Sequence, residues 1–115
     1  MAKTDIFKDF NERRNSGNDL ILSQDFLQYK RFFALDSRAY DDGEIPAKYK
    51  ELMGLVASAV LRCNECILYH IQQCHNLNCS KKELNEALNI AIIVGGSIVI
   101  PHLRVAQEAM LELGY

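Results

Sequence analysis

The sequence has no long hydrophobic run. Its most apolar stretch, Ile90 to Ile100, is interrupted by Gly95-Gly96-Ser97 and falls far short of the roughly 20 residues that a membrane-spanning helix needs. The opening stretch, Met1 to Phe10, carries Lys3, Asp5, Lys8 and Asp9 and has none of the apolar core that directs secretion. No membrane partner is therefore expected, and the sequence points to the cytoplasm. Clustered positive charge is missing as well. The formal net charge is −2, the pI is near 5.9, and the only adjacent basic pairs are Arg13-Arg14, Lys30-Arg31 and Lys81-Lys82. Nucleic-acid binding leans on a concentrated Lys/Arg surface, so no nucleic-acid partner is expected either. Nothing alternates with the period of a strand.

What is present suits one globular domain. A chain of 115 residues, 49% hydrophobic and 24% charged, can bury a single core without staples. Its four cysteines fall in a compartment where thiols are kept reduced, which favours redox or metal chemistry over a structural disulfide framework.

Helical periodicity runs through the chain. Residues 3 to 16 set Ile6, Phe7 and Phe10 among charges, a short amphipathic helix that Asn15-Ser16-Gly17-Asn18 should stop and that should dock on the body or on a neighbouring subunit. Ser23 can cap a second helix from Gln24 to about Ala39, with Phe26, Tyr29, Phe32 and Phe33 at core spacing. Asp41-Asp42-Gly43-Glu44 is a turn, and Pro46 suits the first turn of a third helix through Glu51, Leu52, Leu55, Val56, Ala59 and Val60. Ala57, Ser58 and Ala59 keep that helix thin enough for another to approach closely. A helix through Ile67, Leu68, Ile71 and Cys74 frays at His75 to Asn78, and Ser80 with Glu83 forms a capping box for the next. Gly95-Gly96 breaks that helix, and Ser97 restarts a last one with Pro101 near its first turn. The fold expected is all-α: a single-domain bundle of about five or six helices. Ile90 to Val94 and Ile98 to Ile100 are apolar on nearly every face, which suggests burial between subunits.

The chemistry concentrates at Cys63-Asn64-Glu65-Cys66-Ile67-Leu68-Tyr69-His70. On a helix, Cys63, Cys66 and His70 fall within an arc of about 60°, bringing a thiol pair and a base that titrates near neutral pH to one face. The thiolate is the nucleophile, and a helix beginning close to Arg62 would favour it. The two-residue gap lets the pair close into a disulfide. His70, one turn beyond Cys66, can relay a proton to it. Zinc is a competing use of Cys63, Cys66, His70 and Cys74, with His75 and Cys79 nearby. On a continuous helix, however, Cys63 and Cys74 stand about 16 Å apart, too far to share one ion. Cys74 and Cys79 read as small core or surface residues, and His102 as structural although it could line the same pocket.

Glu51 stands twelve residues before Cys63. An acidic residue opening an apolar helix, then CxxC, three residues and His, followed by Asn78, Ser80 and Lys81-Lys82-Glu83-Leu84, resembles the carboxymuconolactone decarboxylase and alkylhydroperoxidase D family over roughly residues 30 to 113. The resemblance implies an alkylhydroperoxidase D-like helical domain over 30–115, with 1–29 as an N-terminal helical extension. It implies that Cys66 takes oxygen from a hydroperoxide as a sulfenic acid, that Cys63 donates a proton and then resolves it to a disulfide, and that His70 relays protons. On one straight helix Glu51 would lie about 120° and roughly 18 Å from Cys63. The family likeness instead places it on a second packed helix, buried beside His70 at the end of the relay.

The activity so implied is thiol-dependent reduction of hydroperoxides or disulfides, without metal or cofactor, recycled by a dithiol or thioredoxin-like donor. The assembly implied is a homohexamer built as a trimer of dimers, with a trimer as the alternative. Decarboxylation of a muconolactone-type substrate belongs to the same family but does not depend on a CxxC pair. A non-catalytic helical oligomeric module is the reading from another class. Glu65, between the cysteines, departs from a thiolate-favouring pattern, because a neighbouring carboxylate raises a thiol's pKa.

Overall fold

The computed structural model describes residues 5–115. Among them there are six α-helices and no strand: α1 (Ile6–Leu22), α2 (Leu27–Ala39), α3 (Ala47–Val60), α4 (Asn64–Asn76), α5 (Lys81–Gly95) and α6 (Ile100–Glu112), with one 3-10 turn, Ser97–Val99, leading into α6. The all-α bundle expected from periodicity is the observed fold. None of these helices is long and apolar enough to cross a membrane.

Helices α3, α4, α5 and α6 form the body. Leu55 of α3, Ile67 and Ile71 of α4, Leu84 and Leu88 of α5, Val99, and Met110 of α6 are fully buried against one another. The start of α5 is the capping box expected from the sequence: Ser80 Oγ accepts from the Glu83 N–H at 3.0 Å, and Glu83 Oε1 accepts from the Ser80 N–H at 2.9 Å. Its end is fixed by Gly96 at φ 83°, a left-handed value that favours glycine. Pro101 falls in the first turn of α6, where no N–H is needed.

Three expectations about the N-terminal helices need correction. Asn15 to Asn18 do not stop α1, which runs on to Leu22; the predicted start at Lys3 lies outside the described residues. An interior glycine costs only about 1 kcal/mol, and α1 is held by stronger contacts at its other end. Phe7 and Phe10 are buried on the body, and both Glu112 carboxylate oxygens accept backbone N–H groups there, from Ile6 and Phe7 at 2.9 Å each. A carboxylate from α6 thus caps the positive end of α1. Nor does Ser23 cap α2. Its hydroxyl donates to the Leu20 carbonyl at 2.7 Å and closes α1, the chain reverses at Asp25 (φ 53°), and α2 begins at Leu27 rather than Gln24.

The apolar face of α2 is also not core within the chain. Phe26, Tyr29, Phe32 and Leu35 are all exposed, Phe32 to 67% and Leu35 to 68%, and α2 buries no residue. Helical periodicity identifies an apolar face but not what covers it. On α5 and just beyond it, Ile90, Ile93, Val94 and Ile98 are exposed likewise. With Met53, Val56, Ala57, Val60 and Leu61 of the α3 region, Ile90 and Val94 line an apolar groove of about 500 Å³.

Candidate functional site

Helix α3 ends in a turn that reverses the chain onto α4. The Cys63 N–H bonds the Ser58 carbonyl and the Arg62 N–H bonds the Ala59 carbonyl, both at 3.0 Å, with Arg62 left-handed at φ 60°. This is the Schellman pattern of helix termination. It supplies the bend between Glu51 and the cysteines and makes Cys63 the N-cap of α4, one position beyond Arg62. The Cys63 Sγ accepts from the Cys66 N–H at 3.3 Å. Sulfur at this position meets the unpaired N–H groups and the positive end of the helix, both of which favour a thiolate over a thiol. Cys63 and Cys66 are joined as a disulfide, Cys63 half-buried and Cys66 exposed.

One turn further along α4, His70 points back at α3. Its Nδ1 lies 2.7 Å from Glu51 Oε1, and the two residues are 8% and 4% exposed. Glu51 is therefore buried against His70, not solvated. A neutral imidazole that gives its Nδ1 hydrogen to the carboxylate keeps the Nε2 lone pair free. The ring fits because α3 presents no side chain to it: a Cβ added to Gly54 would sit 2.5 Å from His70 Cε1. Two further rings close around it, Tyr69 edge-on at 5.2 Å between centroids and Tyr40 tilted at 5.5 Å.

An open cavity of about 360 Å³ lies over the disulfide. Cys63, Glu65, Cys66, Tyr69 and His70 of α4 line it, joined by Phe10 and Arg14 of α1 and by Asp36 and Tyr40 of the α2 segment. The Arg14 guanidinium stands 4.4 Å over the Tyr69 ring. Burial first, and then the Glu51 charge, raises the pKa of both Tyr40 and Tyr69, so both stay neutral hydroxyls at physiological pH.

The sequence motif thus comes together at one place: Cys63, Cys66, His70 and Glu51 meet beneath one cavity. Sequence reasoning did not reach Tyr40, Asp36 and Arg14, which arrive from remote helices with no local signal, and it read Phe10 only as part of the docking stripe of α1. Gly54 could have been found from the thinness of α3 opposite a functional histidine. His102 does not line the cavity; its Nδ1 lies 2.7 Å from Asn64 Oδ1, tying α6 to the first residue of α4. Cys74 and Cys79 are both buried in the core.

Fold and site together define a helical bundle that presents a cysteine pair beside a buried histidine–carboxylate couple. A family model for carboxymuconolactone decarboxylases matches residues 28–108, and the chain belongs to the carboxymuconolactone decarboxylase family. A crystal structure of a Thermotoga maritima protein is 54% identical, covers 92% of this chain and 93% of its own, and superposes with a TM-score of 0.90. A second T. maritima structure, with a TM-score of 0.87 at 52% identity over 91% of this chain and 89% of its own, is described as a family member with a possible involvement in the antioxidative response. An apo family protein from Legionella pneumophila is 25% identical over 97% of this chain and all of its own, with a TM-score of 0.89. An uncharacterised protein of Cupriavidus necator is 34% identical over 72 residues, 63% of this chain. The chain spans 61% of that curated relative's length.

The packing of Gly54 makes a paired prediction. Gly54→Ala forces the imidazole to move and should destabilise the protein by about 1–3 kcal/mol, the range for overpacking. Gly17→Ala, in a helix with open space around the added methyl, should instead stabilise it by about 0.4–1 kcal/mol. Chemical denaturation of the two variants checks the opposite signs, and equal shifts would contradict the packing described.

Proposed function

We propose that the protein is a thiol-dependent peroxidase that reduces hydroperoxides at the Cys63/Cys66 dithiol, with His70 and Glu51 moving the protons. The observation that carries this reading is the placement of the cysteine pair at the N-terminus of α4, one turn from a histidine held by a buried carboxylate. Cys66 is the exposed sulfur of the pair and faces the cavity, which suits it to meet the oxidant.

From the reduced state, His70 takes the Cys66 proton and Glu51 stabilises the resulting imidazolium. The Cys66 thiolate attacks the outer oxygen of the hydroperoxide, and the O–O bond breaks. Cys66 becomes a sulfenic acid, and the departing alkoxide takes the Cys63 proton to leave as an alcohol. The Cys63 thiolate, favoured at the helix N-terminus, then attacks Cys66 Sγ. Hydroxide leaves with the proton held on His70, giving water and the Cys63–Cys66 disulfide. A dithiol or thioredoxin-like donor from a reducing cytoplasm attacks the exposed Cys66 sulfur and returns the pair to thiols. The same exchange, run on a substrate disulfide, makes disulfide reduction an accessible activity of the site.

In this reading the extension 1–29 supplies part of the roof over the site of the 30–115 domain through Phe10 and Arg14. The exposed apolar surfaces on α2, α3 and α5 support a homo-oligomer, for which the family resemblance favours a hexamer over a trimer. Light scattering should then return a multiple of the 13.1 kDa chain mass; a monomer at micromolar concentration would overturn the assembly.

Peptide mapping of fully reduced, metal-free protein, before and after one equivalent of an organic hydroperoxide, tests the chemistry. A rapid Cys63–Cys66 disulfide that Cys66→Ser abolishes is expected. Unchanged thiols on protein that remains folded would sink the peroxidase reading and favour a decarboxylase or a non-catalytic module.

A further inference from the structure

The mechanism above leaves a second pair of thiols unused. Helix α4 ends in a Schellman turn of its own: the Cys79 N–H bonds the Cys74 carbonyl at 2.9 Å and the Asn78 N–H bonds the His75 carbonyl at 3.1 Å, with Asn78 left-handed at φ 62°. This turn commonly brings together the side chains of its first and last residues. At the end of α3 those residues are Ser58 and Cys63; at the end of α4 both are cysteines. Cys74 and Cys79 are free and buried in the same core, and the turn's 2.9 Å backbone bond holds them at its two ends.

Tyr115 covers this turn. Its hydroxyl donates to the Cys79 carbonyl at 2.7 Å, and its ring meets His75 edge-on at 5.5 Å. Burial is the main cause that raises the pKa of both thiols, Cys74 far above its ordinary range. Both thiols are therefore slow nucleophiles while the turn stays closed.

We propose that Cys74 and Cys79 form a second redox dithiol, closing to a reversible disulfide when hydrogen peroxide reaches the turn past Tyr115. Cys79, the less deeply buried sulfur, is the first to react. Its thiolate displaces hydroxide from the peroxide and becomes a sulfenic acid. The Cys74 thiolate then attacks Cys79 Sγ and releases a second hydroxide. The protons lost by the two thiols convert both hydroxides to water, so two electrons leave the dithiol and one peroxide bond is reduced. Cys66 and Cys74 stand about 12 Å apart along α4, so this pair oxidises independently of the first. The product is a covalent clamp across the end of α4, formed only under peroxide in excess of what the surface pair meets.

The test uses the full-length, fully reduced chain. Protein is exposed to excess hydrogen peroxide, remaining thiols are blocked, and the chain is cleaved by chymotrypsin after Tyr69 and Leu77. Cleavage there leaves Cys63 and Cys66 within one peptide and puts Cys74 and Cys79 on two, so only a Cys74–Cys79 bond ties those two together. The expected result is closure of the surface pair first, then a linked Cys74–Cys79 product on protein of unchanged helicity, reversed by dithiothreitol. Tyr115→Phe, which removes only the hydroxyl, should speed the second step roughly fivefold, as expected for loss of one hydrogen bond. Cys74 and Cys79 that stay free on folded protein, or that are recovered as sulfinic or sulfonic acids, would overturn the proposal. An unchanged rate in Tyr115→Phe would overturn the part given to Tyr115.

Discussion

The contact on which the site depends is the buried bond between Glu51 and His70. Both residues are taken out of water, and an unpaired carboxylate or imidazolium there would be strongly destabilising. Bonded to each other at 2.7 Å they satisfy one another, and no buried side-chain polar atom among the described residues lacks a partner. The bond also fixes the approach of α3 to α4. Gly54 must be small for the ring to lie against α3, and the turn at Arg62 must reverse the chain within three residues for Glu51 to reach it.

From that contact outward, each part of the site follows from a local feature of the chain. Closing α3 with a left-handed Arg62 leaves Cys63 at the head of α4, where exposed N–H groups meet its sulfur. Helical periodicity then puts Cys66 and His70 one turn apart. The roof comes from farther away. Glu112 of α6 caps α1, which brings Phe10 and Arg14 over the disulfide, and α2 delivers Tyr40 against the imidazole while burying nothing itself. In this structure the hairpin of α1 and α2 serves the cavity more than the core.

The parts legible in the sequence were those encoded locally. The capping box at Ser80 and Glu83 sets the start of α5 through residues three apart, and the spacing of Cys63, Cys66 and His70 needs only a helix to become a site. The bend between Glu51 and Cys63 came from family likeness, since helical geometry says only that a straight helix would keep them apart. The end of α1 was misread because Asn15 to Asn18 are turn formers by local preference, whereas packing of Phe7 and Phe10 and capping by Glu112 are tertiary. The aromatic face of α2 was misread for a related reason: periodicity says that Phe32 and Leu35 share an apolar side, not that anything within the same chain covers it. Arg14, Asp36 and Tyr40 carry no signal at all until the helices are assembled.

The account turns on His70 as the base for Cys66, held by Glu51. The most direct measurement is a stopped-flow pH–rate profile for the first oxidation of the reduced protein by an organic hydroperoxide, comparing the native chain with His70→Gln. The account predicts a fall of roughly 10²- to 10⁴-fold in the variant, the range for a general base, and a change in the shape of the profile. The same rate and the same profile in both proteins would contradict it.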